Sequence, residues 1–304
     1  MRGILIVNPH ATTAEANTAE HVTRSLAGLV DLDVAHTRYR GHARELAKAA
    51  GADLVLVLGG DGAVNEAVNG VMADAASRLP LIGVIPGGGA NVFAQALGLP
   101  VGTEAAIGRI REVIAAESYR TIGLGLAGDR YFTFSAGLGL DAEVVHEVDQ
   151  LRDKGSRESA SLYLRTMMRQ YYRGTDRRAP ALTLHRDGQP PATGLFVCIV
   201  TNRSPWTYFR GRPLLPVPDP DFNSGLDLLA LRRVRLTTIL SAVGQMLWIR
   251  SRPPRGRHLL SVLGADALTL RALRPIAFQA DGEYLGETEA VEFRFVPHAI
   301  RVVA

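Results

Sequence analysis

The apolar positions in the first third of this chain alternate between two periods. Gly3 to Val7, Leu32 to His36, Leu54 to Leu58 and Leu81 to Ile85 are short apolar runs, the pattern of strands buried on both faces of a parallel sheet. Between and after them, helical spacing appears at Glu15 to Leu29, Ala43 to Ala50, Ala63 to Val71 and Ala105 to Ala116. Strands alternating with helices predict an α/β layer that binds ligands at the carboxyl ends of its strands.

From Ser118 onward strands dominate. Gly128-Asp129 reads as a hairpin turn leading to Tyr131 to Phe134, and further strands are expected at Ala181 to His185, Leu195 to Thr201, Pro275 to Phe278 and Ala290 to Pro297. A basic amphipathic helix from Glu147 to Gly174 and a proline-rich loop, Pro213 to Pro220, interrupt them. The expectation is an α/β amino-terminal domain with a Rossmann-like parallel sheet, residues 1–121, followed by a mainly-β, sandwich-like domain, residues 122–304. The last strand is free to return to the first domain. Gly123 to Gly128 fits G-x-G-x-x-G, but strand rather than helix follows it, so it is no dinucleotide site.

Composition narrows the class. The 304 residues are 47% hydrophobic, enough for two cores, and carry a net charge of +4. Lys48 and Lys154 are the two lysines, so the positive charge is almost all arginine, which suits phosphate and anionic lipid. The single cysteine, Cys198, sits in an apolar run and reads as a buried thiol; one cysteine excludes an internal disulfide or thiolate zinc site. The apolar start is too short for a signal peptide, and no stretch approaches the roughly 18 apolar residues of a membrane span, so a cytoplasmic protein is expected. The uncharged segment Leu236 to Ile249 lies between Arg232, Arg233, Arg235 and Arg250, Arg252, Arg255, Arg257, a layout suited to reversible contact with a membrane face.

The candidate chemistry is concentrated after the third strand. Gly59, Gly60 and Gly62 turn directly into a helix, so unpaired N–H groups and a positive helix end point at one spot, the natural place for phosphate. Glycine corners without a ligand are also common. Asp61 inside the turn suggests Mg²⁺ between carboxylate and phosphate, while Asn65 and Asn69 share a helical face with Glu66 beside them. A second glycine corner, PGGGANVFAQALGLP, follows the fourth strand. Near the carboxyl end, Asp281-Gly282-Glu283 places two carboxylates around a glycine between strands, which alone is an ordinary hairpin turn.

Residues 59–70, GGDGAVNEAVNG, resemble the GGDGTxNEVxNG signature of the diacylglycerol kinase catalytic-domain family of lipid kinases, with Ala63 in place of threonine. Residues 86–94 resemble its P-x-G-T-x-N-D-x-A segment, with Gly89 and Val92 replacing threonine and aspartate. The resemblance implies an ATP-dependent lipid kinase with Mg²⁺. It implies nucleotide contacts from Asn8, Pro9, His10, Ala11, Thr12, Thr37, Gly59, Gly60, Asp61, Gly62, Ala63, Val64, Asn65, Gly88 and Gly89. It also implies a structural Mg²⁺ at Asp227, with Ser224 and Leu229 supplying oxygens, and catalysis by Asp61, Asp281 and Glu283, the last as base toward a lipid hydroxyl. The expected partner is a lipid at a membrane surface, with no nucleic acid and with room for a homodimer. Thr12 and Glu15 also fit a helix capping box. Two alternatives stand beside this reading. One is an NAD kinase, which shares a GGDG turn but not the Asn8-Pro9-His10 opening, the 86–98 corner or the late Asp-Gly-Glu. The other is a catalytically silent lipid- or nucleotide-binding protein, suggested by Ala63, Gly89 and Val92.

Overall fold

The structure, a computed structural model, describes residues 1–9, 16–73, 79–153, 160–174, 179–202, 205–209, 211–217, 221–248 and 252–304. The chain divides into two compact units, residues 1–123 with 298–304, and residues 124–297.

The first unit alternates strand and helix: β1 (Arg2–Val7), α1 (Ala16–Leu26), β2 (Asp31–His36), α2 (His42–Ala49), β3 (Leu54–Gly59), α3 (Asp61–Met72), β4 (Leu81–Pro86), α4 (Val92–Ala96) and α5 (Thr103–Ala115). The sheet is parallel in the order β2-β1-β3-β4. Every residue of β3 and β4 is buried, which is why their runs are apolar without alternation. Leu5, Leu54, Leu56 and Leu58 pack with Val22 and Leu26 of α1 and with Ile107 and Ile110 of α5. Helices α2 and α3 meet backbone to backbone: a Cβ on Gly70 would lie 2.3 Å from the Arg44 carbonyl oxygen. The chain end returns here, with Arg301 and Val302 pairing in parallel with Leu81 and Ile82. Because the strand order reverses between β1 and β3, the crevice of this sheet opens beyond their carboxyl ends.

The second unit is mainly antiparallel. Its elements are β5 (Arg120–Ala127), which begins in the first unit, β6 (Arg130–Phe132), β7 (Ser135–Gly139), α6 (Leu140–Asp153), α7 (Ala160–Arg169), β8 (Leu182–Arg186), β9 (Gln189–Leu195), β10 (Val197–Thr201), β11 (Thr207–Phe209), β12 (Arg212–Leu214), β13 (Leu226–Leu231), α8 (Leu236–Trp248), β14 (Leu259–Ala265), β15 (Ala267–Ala280) and β16 (Glu283–Val302). The main order is β14-β13-β10-β7-β15-β16, with the β8-β9 hairpin on β15 and β5 paired to β6. Phe132, Leu138, Cys198, Leu228, Leu270 and Phe293 share one core. Burial pushes the Cys198 thiol far up, so it is inert.

Several elements depart from the sequence expectation. The G-x-G-x-x-G stretch lies in β5, where Gly125 makes room for a ring: a Cβ there would fall 2.1 Å from Phe132. Strand β9 carries Pro190 and Pro191, which propensity reads as loop; it pairs with β8 alone, so the prolines meet no second ladder. Pro213, expected in a loop, lies in the β11-β12 hairpin. The basic helix begins earlier than expected, at Leu140, and residues 154–159 lie outside the described residues. Helix α8 buries Ala242, Met246 and Leu247 but leaves Leu240 and Trp248 exposed. Among the described residues, no helix is long and apolar enough to cross a membrane.

Candidate active site

In the first unit the predicted phosphate residues converge at the carboxyl edge of the sheet. Asn8 follows β1 and donates its backbone N–H to Leu58 of β3 at 3.0 Å, and Thr37 follows β2 and donates to Val7. Helix α3 starts at Gly60, which offers no side-chain cap, so the helix end presents backbone N–H groups in the manner of an anion site. The two glycine corners touch. Gly87 donates to the Gly59 carbonyl at 2.9 Å, and a Cβ on Gly88 would sit 2.6 Å from the Gly60 Cα. Gly62 has open space around it, and Gly89 is exposed. Asn91, in the left-handed region at φ 47, laces the second corner by accepting from Gly88 N–H at 2.8 Å and donating to its carbonyl at 2.7 Å. His10, Ala11 and Thr12 lie outside the described residues.

The acidic residues of the signature have tasks the sequence did not disclose. Asp61 accepts the N–H groups of Val92 and Phe93 at 2.9 and 3.0 Å, so its carboxylate holds the start of α4 and joins the two corners. Glu66 does the same for α2, accepting from Gly41 and Ala43 at 2.7 and 3.2 Å. Each oxygen takes one backbone donor, so Asp61 has a structural task that the sequence expectation of a metal role did not include. The expected nucleotide contacts of Val64 and Asn65 are corrected. Val64 lies in the core with its N–H on the Gly60 carbonyl, and Asn65, fully buried, accepts from Asn69 at 3.1 Å. Neither side chain reaches a surface where a nucleotide could lie. Ala63, half-buried, packs close to Gly59, where a threonine hydroxyl would otherwise stand.

In the second unit the Asp-Gly-Glu turn joins β15 to β16. Asp281 is buried, and its carboxylate accepts four bonds: Thr133 N–H at 2.6 Å, the Thr133 hydroxyl at 2.8 Å, Phe134 N–H at 3.0 Å and Ser135 N–H at 3.1 Å. That corrects its expected catalytic role; it is a buried anchor for the turn. Glu283 pairs with Arg130 at 2.5 Å, both side chains mostly covered, so the guanidinium fixes where the carboxylate points. Arg130, Thr133 and Asp141 are neighbours that sequence reasoning missed, because strand register alone brings them to the turn. Asp141, at the start of α6, accepts from Gln279 at 2.7 Å, and burial raises its pKa to about 6 against the opposing donors Gln279 and Trp206.

The expected structural cation finds no matching donor set. Asp227 is fully buried, but one carboxylate oxygen accepts Gly264 N–H at 2.8 Å. Ser224 is exposed and bonds Asp221. Leu229 lies inside β13, between Ile199 of β10 and Ser261 of β14, where ladders on both sides engage its main chain. The assignment of Ser224 and Leu229 as ligands is therefore corrected. Among the described residues no three His, Cys, Asp or Glu side chains form a group that could hold a metal ion.

The family model of the diacylglycerol kinase catalytic domain matches residues 2–123, the unit that carries both glycine corners. Residues 2–123 thus carry a diacylglycerol kinase catalytic domain, and the chain is similar to lipid kinases beyond it. A diacylglycerol kinase of Bacillus subtilis (strain 168) is 27% identical over 257 residues, 81% of this chain and 76% of the relative. A probable lipid kinase YegS-like protein of Chromohalobacter salexigens is 39% identical over 104 residues, 34% of this chain and 32% of that one. A crystal structure from Bacillus anthracis str. Sterne, assigned as a diacylglycerol kinase, superposes with TM-score 0.76 at 21% identity, covering 99% of this chain and 96% of that chain. At that identity the likeness speaks for the fold, which this chain shares along its length.

Proposed function

We propose that this chain transfers the γ-phosphoryl group of Mg²⁺-bound ATP to a lipid hydroxyl, diacylglycerol or a related lipid. The observation that carries the reading is the contact of Gly60 with Gly88 at the start of α3: side chains at these two positions would part the corners, and a helix start without a side-chain cap leaves backbone N–H groups suited to phosphate oxygens. Mg²⁺ enters with the nucleotide and would neutralise charge on the phosphates; no resident metal is needed. Phosphoryl transfer asks mainly for positioning and electrostatic support, which backbone N–H groups supply without reorganisation. Glu283, oriented by Arg130, is the proposed base that takes the proton of the acceptor hydroxyl.

The acceptor's chemistry calls for a reversible foothold on a membrane. Exposed Leu240 and Trp248 on α8 lie between arginines, and these converge: Arg233, Arg257 and Arg235 add to burial in lowering the pKa of His258. Each arginine near an anionic leaflet contributes about 1 kcal/mol. Sedimentation with vesicles is expected to rise with anionic lipid and fall with salt.

The deciding assay supplies labelled ATP with diacylglycerol, a sphingosine-like amine or NAD and reads which product carries label. Label in a lipid supports the proposal. Label in NAD, or nucleotide binding without label anywhere, overturns it.

A further inference from the structure

One side chain ties the Asp-Gly-Glu turn to α6 by facing two ways. Gln279 donates from Nε2 to Asp141 at 2.7 Å and accepts with Oε1 from Gly282 N–H at 3.0 Å. The orientation follows from satisfaction of the donors. A backbone N–H can only donate, so Oε1 must face Gly282, the amide NH₂ must face Asp141, and the Asp141 oxygen it meets must be unprotonated. Space is also made for this contact. A Cβ on Gly137 would lie 2.4 Å from Asp141 Oδ2 and 3.0 Å from Gln279 Nε2, so the strand beneath must carry glycine there. The turn itself needs holding, with Asp281 at φ 48 and Gly282 at φ 76, both left-handed. Asp281 is held by Thr133, Phe134 and Ser135, and Gly282 by Gln279.

We infer that Asp141 and Gln279 are positioning residues for the Asp281–Glu283 turn: ionised Asp141 sets the Gln279 amide, the amide sets Gly282, and Gly282 sets the Glu283 carboxylate. The consequence for catalysis rests on the reading of Glu283 as the base. Burial brings Asp141 to about 6, so its charge changes near neutral pH. Protonation removes the charge that strengthens the Gln279 amide's bond, and a proton on Oδ2 itself would set a donor against the amide NH₂; either way the hold of Gln279 on Gly282 weakens. The groups on Asp141 itself are neutral, Gln279 from β15 and Trp206 from the segment before β11. The titratable groups on the surrounding elements are Glu143 and His146 of α6, Cys198 of β10, the Arg130–Glu283 pair, and Tyr284, whose ring stacks on His146 at 3.9 Å. Histidines in general titrate in the same range, so a His146 variant is the control.

The test follows the Gly282 amide by NMR in the full chain labelled at glycine, from about pH 4.5 to about pH 8, with Gly282→Ala to assign the signal. In the parent and in His146→Gln the Gly282 resonance is expected to titrate with a midpoint near 6. In Asp141→Asn, which keeps side-chain size, and in Gln279→Leu that titration is expected to vanish. A midpoint that persists in Asp141→Asn, or a parent amide that does not titrate, overturns the inference whatever the enzyme does. Rates then test the reading beneath it. The parent's kcat for lipid phosphorylation is expected to fall about tenfold per pH unit below the midpoint with KM for ATP unchanged, and Gln279→Leu to lose that limb with kcat about tenfold lower at high pH. Titration of Gly282 without any acid limb in kcat leaves the positioning intact and removes Glu283 as base.

Discussion

Gly88 lies against Gly60 so closely that a Cβ on it would come within 2.6 Å of the Gly60 Cα. Contacts that short between Cβ and backbone do not persist, so Gly88→Ala must drive the two corners apart. We expect nucleotide affinity, measured by calorimetry, to fall at least about tenfold while the helical circular dichroism remains, the loss reflecting a shift of roughly 1 Å in donors that must converge on phosphate. Parent affinity in Gly88→Ala would remove the corner as the nucleotide site. Gly108→Ala in α5, away from both corners, is the matched control, since nothing lies within 4 Å of its added methyl.

Asp61→Ala is expected to destabilise the fold rather than act through chemistry alone. It frees the Val92 and Phe93 N–H groups that start α4, a capping loss of about 1–2 kcal/mol. Urea denaturation reads the effect. Unchanged stability with lost activity would instead return Asp61 to a role at the phosphates.

Asp227→Ala should lower stability by about 2–3 kcal/mol, the scale of a buried hydrogen bond to a charged group, because Gly264 N–H loses its acceptor. Chelator is expected to leave the melting temperature of parent and variant alike unchanged. A chelator-dependent drop confined to the parent would restore a cation at this carboxylate.

Asp141 gives stability a pH dependence opposite to that expected of activity. Its pKa is raised from 3.8 to about 6, so the folded chain binds this proton more tightly than the unfolded one. The stabilising contribution is fully present below about pH 4 and is lost as pH rises through about 6. The melting temperature of the parent, compared with that of Asp141→Asn, is expected to decline across that window. A parallel course for the two proteins would show that Asp141 is not the titrating group.

Local order in the sequence determined the architecture of the first unit. Strands with both faces covered must be apolar throughout, so Leu54 to Leu58 and Leu81 to Ile85 announce a parallel sheet, and glycines after them announce corners where helices start. The strand-rich second unit was legible in class, but β9 was not, since proline and mixed polarity conceal a strand whose pairing decides its state. What each carboxylate does was decided by tertiary structure alone. Asp61 meets donors 31 and 32 residues on, Asp281 meets donors 146 to 148 residues back, and Asp141 meets an amide 138 residues away. Motif spacing reports which residues share a turn or a helix face. It carries no record of the strand register and helix packing that bring distant N–H groups to a carboxylate, and those contacts turn GGDG and Asp-Gly-Glu from loops into fixed geometry.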